Sequence, residues 1–218
     1  MDPQLLLDET EIKRLRQRWT FARDYGDWAD LADCFHPGAV ISISWYHGDV
    51  NGFIEGAKAV ISGFNSGEHG KHLLGNSRVW INGERAVAEV DVLIQSRVYL
   101  DSYLFDFSSR ARFFDLVERR DGDWKICQWK AVYDADRMDA AEPYRVPAEF
   151  YEGIDLSPFP PACAFLCYRI TRGGRVISKD IACINTDAEA QIKDEAQRWL
   201  EGTYEPAMPN ELKQENRA

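Results

Sequence analysis

The sequence lacks long hydrophobic runs, a basic N-terminal segment and any excess of positive charge. No stretch approaches the roughly 18 apolar residues of a membrane-spanning helix, so we expect no membrane segment. The first residues include acidic side chains and a short leucine run, which is unlike a signal peptide. With 26 basic and 36 acidic side chains, the net charge of −10 argues against nucleic acid as a partner. We therefore expect a cytoplasmic protein.

The motifs of several common enzyme classes are also missing. The sequence has no glycine-rich phosphate loop after a strand, no serine or cysteine nucleophile motif, and no histidine and carboxylate cluster at metal spacing. Its five cysteines are scattered and form no Cys-x-x-Cys pair, so we expect buried free thiols rather than disulfides or a zinc site. Chemistry without a cofactor or a metal is the class that remains.

Helical patterns dominate the first third of the chain. Asp8 and Glu11 form a capping box, which predicts a helix that runs to about Tyr25. Gly26 is well placed to end this helix. Apolar residues at helical spacing predict a second, short helix over 28–35.

Alternating apolar residues predict one strand before a third helix and four long strands after it. The strand is expected over 39–46, the helix over 53–64, and the long strands over 73–81, 86–100, 104–119 and 124–133. Asn82-Gly83 and Asp121-Gly122 are typical type I′ hairpin pairs. The order predicts an α+β fold, in which a cone-shaped, curved antiparallel sheet packs against three N-terminal helices and holds a small ligand in its mouth.

The composition changes after Asp139. Five prolines fall between residues 142 and 161, followed by two strand-like segments at 163–170 and 175–184 and a helical pattern at 187–200. We therefore divide the chain into a barrel domain, residues 1–138, and a C-terminal extension, residues 139–218. The extension is expected to pack on the barrel or on a neighbouring subunit.

Several motifs occur in an order typical of one superfamily. They are Arg-Asp-Tyr-Gly-Asp-Trp at 23–28, Lys-His-Leu-Leu-Gly-Asn at 71–76 and Glu-Arg-Arg-Asp-Gly-Asp-Trp-Lys-Ile at 118–126. Over roughly residues 8–138 the chain resembles the SnoaL-like branch of the nuclear transport factor 2-like superfamily. The resemblance implies the cone-shaped fold, which hosts dehydratases, dehydrohalogenases, isomerases, cyclases and non-catalytic modules.

The resemblance also implies a catalytic pair. Scytalone dehydratase and hexachlorocyclohexane dehydrochlorinase use an aspartate at the end of the first helix to orient a histidine at the start of a strand. Asp24 and His72 match these positions. Histidine is a base near neutral pH, and a carboxylate on its other ring nitrogen fixes the tautomer. The residues alone favour a structural interpretation, in which Asp24 is a turn residue and His72 a hydrogen-bonded strand residue.

Further candidates are aromatic or cationic side chains on the strands. We assign Tyr46 and Arg97 as additional catalytic residues, because a hydroxyl or a cation helps a leaving group depart. The substrate-binding candidates are Trp45, Tyr99, Tyr103, Arg110, Trp129 and Tyr133. Each of these residues also has an ordinary interpretation as a core or solvent-facing side chain.

These residues predict a cofactor-independent lyase acting on a small, hydrophobic, aromatic substrate. The leaving group is water or, as in the diarylpropane lyases of this superfamily, formaldehyde from a lignin-derived diarylpropane. The alternatives are a ketosteroid-isomerase-like isomerase or polyketide cyclase, with Asp115 or Asp134 as base, and a non-catalytic binding or assembly module. We expect a homo-oligomer, a dimer or a trimer, because the helices are predicted to cover one face of the sheet.

Overall fold

The computed structural model describes residues 2–207. Its helices are α1 (Pro3–Tyr25), α2 (Trp28–Asp33), α3 (Val50–Ser62), α4 (Ala148–Glu152), α5 (Ala164–Arg172) and α6 (Asp187–Leu200). Its strands are β1 (Phe35–Ile43), β2 (Tyr46–Gly48), β3 (His69–Asn82), β4 (Arg85–Leu100), β5 (Tyr103–Arg120), β6 (Asp123–Ala140) and β7 (Ala182–Cys183). Within this part of the chain, no helix combines the length and apolarity needed to span a membrane.

The strands form one curved, open sheet. Its order is β2-β1-β6-β5-β4-β3, and β7 pairs with β6 off this path. The long strands β3 to β6 are antiparallel neighbours, as predicted. However, β1 and β7 both run parallel to β6, so the sheet is mixed. The predicted α+β fold, with three N-terminal helices against a curved sheet and a C-terminal extension, is confirmed.

A cluster of aromatic rings joins α1 and α3 to the concave face of the sheet. Trp19 of α1 is fully buried, with its ring centroid 5.9 Å from that of Phe113 and 4.8 Å from that of Trp129. Phe53 of α3 packs edge-on against Trp129 at 5.3 Å. Edge-to-face aromatic contacts of this kind add to the free energy of burial. These contacts determine the distance between α1 and the sheet.

The start of α1 differs from the prediction. The helix begins at Pro3, and its N-cap, Asp2, lies six residues before the predicted cap at Asp8. A capping side chain followed by proline is a strong helix start, and it overrides the weaker signal downstream. Asp8 is instead buried and accepts a hydrogen bond from the indole nitrogen of Trp124 at 3.2 Å. The helix ends at Gly26, in the left-handed conformation, as predicted.

One of the two predicted hairpin turns is displaced. Asp121-Gly122 has positive φ at both residues, as a type I′ turn requires. In the other hairpin Asn82 pairs with Arg85, so the loop is 83–84 and not Asn82-Gly83. Among its two loop residues, Gly83 has positive φ.

The extension contains a helix where two strands were predicted. The segment 163–170 forms most of α5, and 175–184 contains the two-residue strand β7. The buried side chains of the first segment lie at 163, 164, 166, 167 and 170, and they include the three-and-four spacing of a helix. Periodicity in so short an apolar run does not distinguish a helix from a strand. The predicted helix over 187–200 coincides with α6, which begins after the cap Thr186.

One helix of the extension, α6, packs on the convex face of the sheet. Trp199 of α6 is buried there and donates a hydrogen bond to the carbonyl oxygen of Ala86 at 3.1 Å. The expectation that this face lacks helices is therefore wrong where α6 lies. Leu73 and Trp80 on the edge strand β3 remain exposed. A homo-oligomer, dimer or trimer, stays a prediction.

We predict that the buried ion pair between α1 and β5 is essential for stability. Arg16 donates from Nε to Oδ2 of Asp115 at 2.9 Å, and both side chains are almost inaccessible. Asp115→Ala should lower the free energy of unfolding by about 3–5 kcal/mol, because it leaves a buried guanidinium without a counter-charge. Urea unfolding followed by tryptophan fluorescence measures this loss.

The matched control is Asp106→Ala. Asp106 forms the same kind of pair with Arg97, but both side chains are about two-fifths exposed. Asp106→Ala should lower the free energy of unfolding by no more than about 1 kcal/mol. Equal losses for the two variants would contradict the account.

Candidate active site

Asp24 and His72 are in direct contact. Asp24 lies in the last turn of α1 and His72 near the start of β3. The backbone N–H of His72 donates to Oδ2 of Asp24, and Nδ1 of the ring lies beside Oδ1, both at 2.7 Å. Both side chains are largely buried. A carboxylate at a helix C-terminus is unfavourable by about 0.3–1 kcal/mol, and these two hydrogen bonds offset that cost.

The surroundings favour a neutral imidazole. Burial lowers the pKa of His72, the hydrogen bond to Asp24 raises it, and the positive charge of Arg23 lowers it. The net direction is downward from the ordinary value of 6.5. Because an ionised carboxylate only accepts hydrogen bonds, the contact with Oδ1 of Asp24 requires a hydrogen on Nδ1 of the neutral ring. Nε2 has no hydrogen-bond partner among the residues described, so its lone pair is free to accept a proton.

His72 lines a cavity of about 50 Å³ between the concave face, α1, α3 and the extension. Its apolar wall includes Trp19, Ile43, Trp45, Phe53, Ile94, Phe113 and Trp129. A cavity that holds a benzene ring has a volume of about 150 Å³. An aromatic ligand therefore has to displace side chains that now fill the mouth of the cone.

Three arginines and Lys71 are the cationic residues of the cavity wall, and the ammonium group of Lys71 is exposed and donates to the hydroxyl of Tyr25 at 3.0 Å. Arg23 comes from α1, Arg169 from α5, and Arg175 from the segment after α5. Arg175 stacks over Trp45, with its guanidinium carbon 5.3 Å from the ring centroid. Burial, together with the charges of Arg175 and Arg23, lowers the pKa of Arg169 to about 10. Like charges are thus held close together in a confined space.

Three of the predicted substrate-binding residues line this cavity: Trp45, Trp129 and Tyr133. Tyr133 is buried, and its hydroxyl oxygen accepts a hydrogen bond from the backbone N–H of Ser44 at 3.1 Å. Because the oxygen is the acceptor in this bond, its hydrogen is available to a ligand. Burial raises the pKa of the Tyr133 hydroxyl, so the group is protonated at neutral pH.

Five predicted site residues lie outside the cavity wall: Tyr46, Arg97, Tyr99, Tyr103 and Arg110. The hydroxyl of Tyr46 donates to the backbone carbonyl of Asp49 at 2.9 Å. Arg97 forms two hydrogen bonds with Asp106, both at 2.7 Å. Its neighbour Ser96 lines the cavity, and successive residues of a strand point to opposite faces.

The two aspartates considered as bases of an isomerase also lie away from the cavity wall. Asp115 is occupied by its ion pair with Arg16. Asp134 lies near Arg112, which also pairs with Glu189 of α6 on the convex side. The arrangement gives no support to an aspartate base on the sheet.

Sequence reasoning missed Arg23, Arg169 and Arg175. Arg23 could have been found, because it lies four residues after Trp19 and so shares a helix face with this core residue. The other two depend on the path of the extension, which short-range patterns did not reveal. Across the described range, no group of histidine, cysteine and carboxylate side chains has the arrangement of a metal site.

Residues 4–130, more than half of the chain, match the family model of the SnoaL-like domain. The chain belongs to the SnoaL-like family. The family match covers the elements that carry Asp24 and His72, but it ends before the extension.

Known relatives cover different parts of the chain. Pea pathogenicity protein 2 of Fusarium vanettenii is 28% identical over 210 residues, covering 91% of this chain and 88% of the relative. LinA has a TM-score of 0.56 and 23% identity, over 64% of this chain and 95% of its own. A Novosphingobium aromaticivorans protein provisionally assigned as a scytalone dehydratase has a TM-score of 0.54 and 16% identity, over 63% and 91%. The two structures support the fold of the barrel.

We predict that His72 titrates below the ordinary histidine range. Its ring carbon signal in NMR should change with a midpoint below pH 6.5, because burial opposes the charged form. In Asp24→Asn the midpoint should fall further, since the carboxylate that favours the imidazolium is gone. A wild-type midpoint above pH 6.5, or a higher midpoint in Asp24→Asn than in the wild type, would contradict the described environment.

Proposed function

We propose that the protein is a lyase in which His72, held by Asp24, removes a proton from a small organic substrate. The observation that supports this most is the double contact between the two residues, at 2.7 Å each, beside a cavity. It leaves Nε2 of a neutral imidazole as the free basic atom in the cavity wall. A neutral base in a confined apolar site suits abstraction of a proton at neutral pH.

The proposed reaction is an elimination. Nε2 of His72 accepts the substrate proton while Asp24 stabilises the imidazolium as it forms. The electron pair of the broken bond becomes part of a new double bond, and the leaving group departs with its own electron pair. When that group is hydroxide, a proton from the imidazolium or from the Tyr133 hydroxyl converts it to water. When formaldehyde is released instead, Nε2 accepts the proton of a hydroxymethyl O–H group, and the electron pair of that O–H bond becomes part of the carbonyl bond of formaldehyde. The electron pair of the broken carbon–carbon bond then forms the new carbon–carbon double bond, and hydroxide departs from the adjacent carbon with the electron pair of its bond.

The cavity wall favours a flat, partly apolar substrate. Trp45, Phe53, Trp129 and Tyr133 all line the cavity. A single-ring substrate requires the mouth to open, since the resting volume is about 50 Å³. A two-ring, lignin-derived diarylpropane requires a larger displacement of the extension. Substrates with one aromatic ring are therefore the first to screen.

We predict that His72→Ala lowers kcat/KM by about 10²–10⁴-fold on any substrate found by such a screen, because general base catalysis contributes this much. Asp24→Asn should also reduce kcat, since the tautomer and orientation of the ring are no longer fixed. Steady-state kinetics measures both effects, and circular dichroism verifies that the variants are folded.

The control is His69→Ala. His69 is an exposed histidine on the same strand, three residues before His72, and it lies outside the cavity wall. This variant should retain wild-type kinetics. A folded His72→Ala protein with full activity would refute the proposed base.

A further inference from the structure

The cavity wall has an excess of hydrogen-bond donors. Within the described residues, six buried side-chain polar atoms have no hydrogen-bond partner. Four of them belong to residues that line the cavity: Nε1 of Trp19, Nη1 of Arg23, Nε1 of Trp129 and Nε of Arg169. All four are donors. Buried donors without an acceptor are rare and unfavourable, so a ligand with acceptor atoms that enters between these side chains would satisfy them.

The cavity wall also has an excess of positive charge. Neither Arg169 nor Arg175 forms an ion pair within residues 2–207. Arg23 lies 3.5 Å from Asp24, a carboxylate that His72 already engages through two hydrogen bonds. Elsewhere in the protein a part-buried arginine has carboxylate partners, as Arg112 has with Glu89 and Glu189. The imbalance is therefore local to the cavity.

The three guanidinium groups belong to the wall of one cavity, and their charges oppose one another. Burial lowers the pKa of Arg169 and of Arg175; the charges of Arg175 and Arg23 lower that of Arg169 further, and the charge of Arg23 lowers that of Arg175 further. Arg23 itself is held by its position at the end of α1, one residue before Asp24. Repulsion between buried cations is relieved when an anion lies between them.

We propose that the cavity binds the carboxylate of an organic acid, held by Arg23, Arg169 and Arg175. The acid is the substrate of the proposed lyase, so this further step rests on the proposed function. A carboxylate has two oxygens that accept several hydrogen bonds, which matches a wall of donors. A neutral ligand would displace water from the guanidinium groups and leave them without a counter-charge.

The aromatic part of the wall favours an organic acid over inorganic phosphate. The charged groups share the cavity with tryptophan and phenylalanine rings, so the acid has to carry an apolar part. An aromatic or aryl-substituted carboxylic acid combines both features. Its carboxylate lies against the arginines, and its apolar part lies toward the aromatic rings beside His72.

The proposal also gives the extension a role. Arg169 and Arg175 come from α5 and from the segment after it, whereas Asp24 and His72 belong to the barrel. The acid-binding site is thus complete when the extension covers the mouth of the cone. Binding an acid should hold the extension in this position.

Isothermal titration calorimetry on the full chain tests the proposal with acids and matched amides. The probes are benzoate and cinnamate against benzamide and cinnamamide, which have nearly the same shape without the charge. The acids should bind at least about tenfold more tightly than the amides, because hydrogen bonds to a charged group are stronger. Arg169→Gln and Arg175→Gln should each weaken acid binding by about tenfold or more.

Two further variants separate charge from folding. Arg172→Gln, on the same helix as Arg169 but paired with Asp101 outside the cavity wall, should bind the acids as the wild type does. Arg169→Lys should recover part of the affinity that Arg169→Gln loses. Circular dichroism verifies that each variant is folded.

The proposal is overturned if the amides bind as tightly as the acids, if neither binds at millimolar concentration, or if both glutamine variants retain acid binding. Inorganic phosphate that binds more tightly than benzoate would also overturn it. His72→Ala distinguishes the two proposals, because it should bind the acids while it loses activity. Full turnover by His72→Ala, with acid binding still dependent on the arginines, would refute the proposed base and leave the acid site standing.

Discussion

The contact between Asp24 and His72 joins the end of the first helix to the start of the first long strand. It is possible because the aromatic cluster around Trp19 and the ion pair between Arg16 and Asp115 hold α1 against the concave face. The helix ends in a glycine turn directly after this contact, so the carboxylate is placed at the mouth of the cone. Any change that shifts α1 along the sheet therefore shifts the base as well.

The charge of the cavity wall is opposite in sign to the net charge of the protein. The protein as a whole carries a net charge of −10, yet its cavity is lined by Arg23, Arg169 and Arg175. The arginines of the cavity are buried or half-buried, whereas most acidic side chains face solvent. Because the effective dielectric constant is lower inside the protein, the arginines act more strongly on a ligand in the cavity than the surface carboxylates do. The extension contributes to both sides of the sheet, with α5 at the mouth and α6 on the convex face. It is therefore a structural part of the site and of the fold.

The sequence was sufficient for features that depend on local patterns. Gly26 as a helix end, the turn at Asp121-Gly122, the helix over 187–200 and the approach of Asp24 to His72 are examples. The first three follow from backbone conformation and helical periodicity, and the last from a family resemblance.

Other features depend on contacts between distant residues. Arg97 was assigned to the pocket, but its place in the register of β4 points it away from the cavity that Ser96 lines. Arg169 and Arg175 reach the cavity because the extension folds back as a helix, and a short apolar run does not encode that path. Asp8 looked like a cap but is a buried acceptor for Trp124. In each case tertiary packing decided between two locally acceptable structures.

The central claim is that His72 presents a free basic Nε2 while Nδ1 is held by Asp24. The most direct measurement is the ¹⁵N chemical shift of both ring nitrogens of His72 in labelled protein at neutral pH. The account predicts a protonated Nδ1 and an unprotonated Nε2. A hydrogen on Nε2 with a bare Nδ1, or a doubly protonated ring at neutral pH, would contradict it.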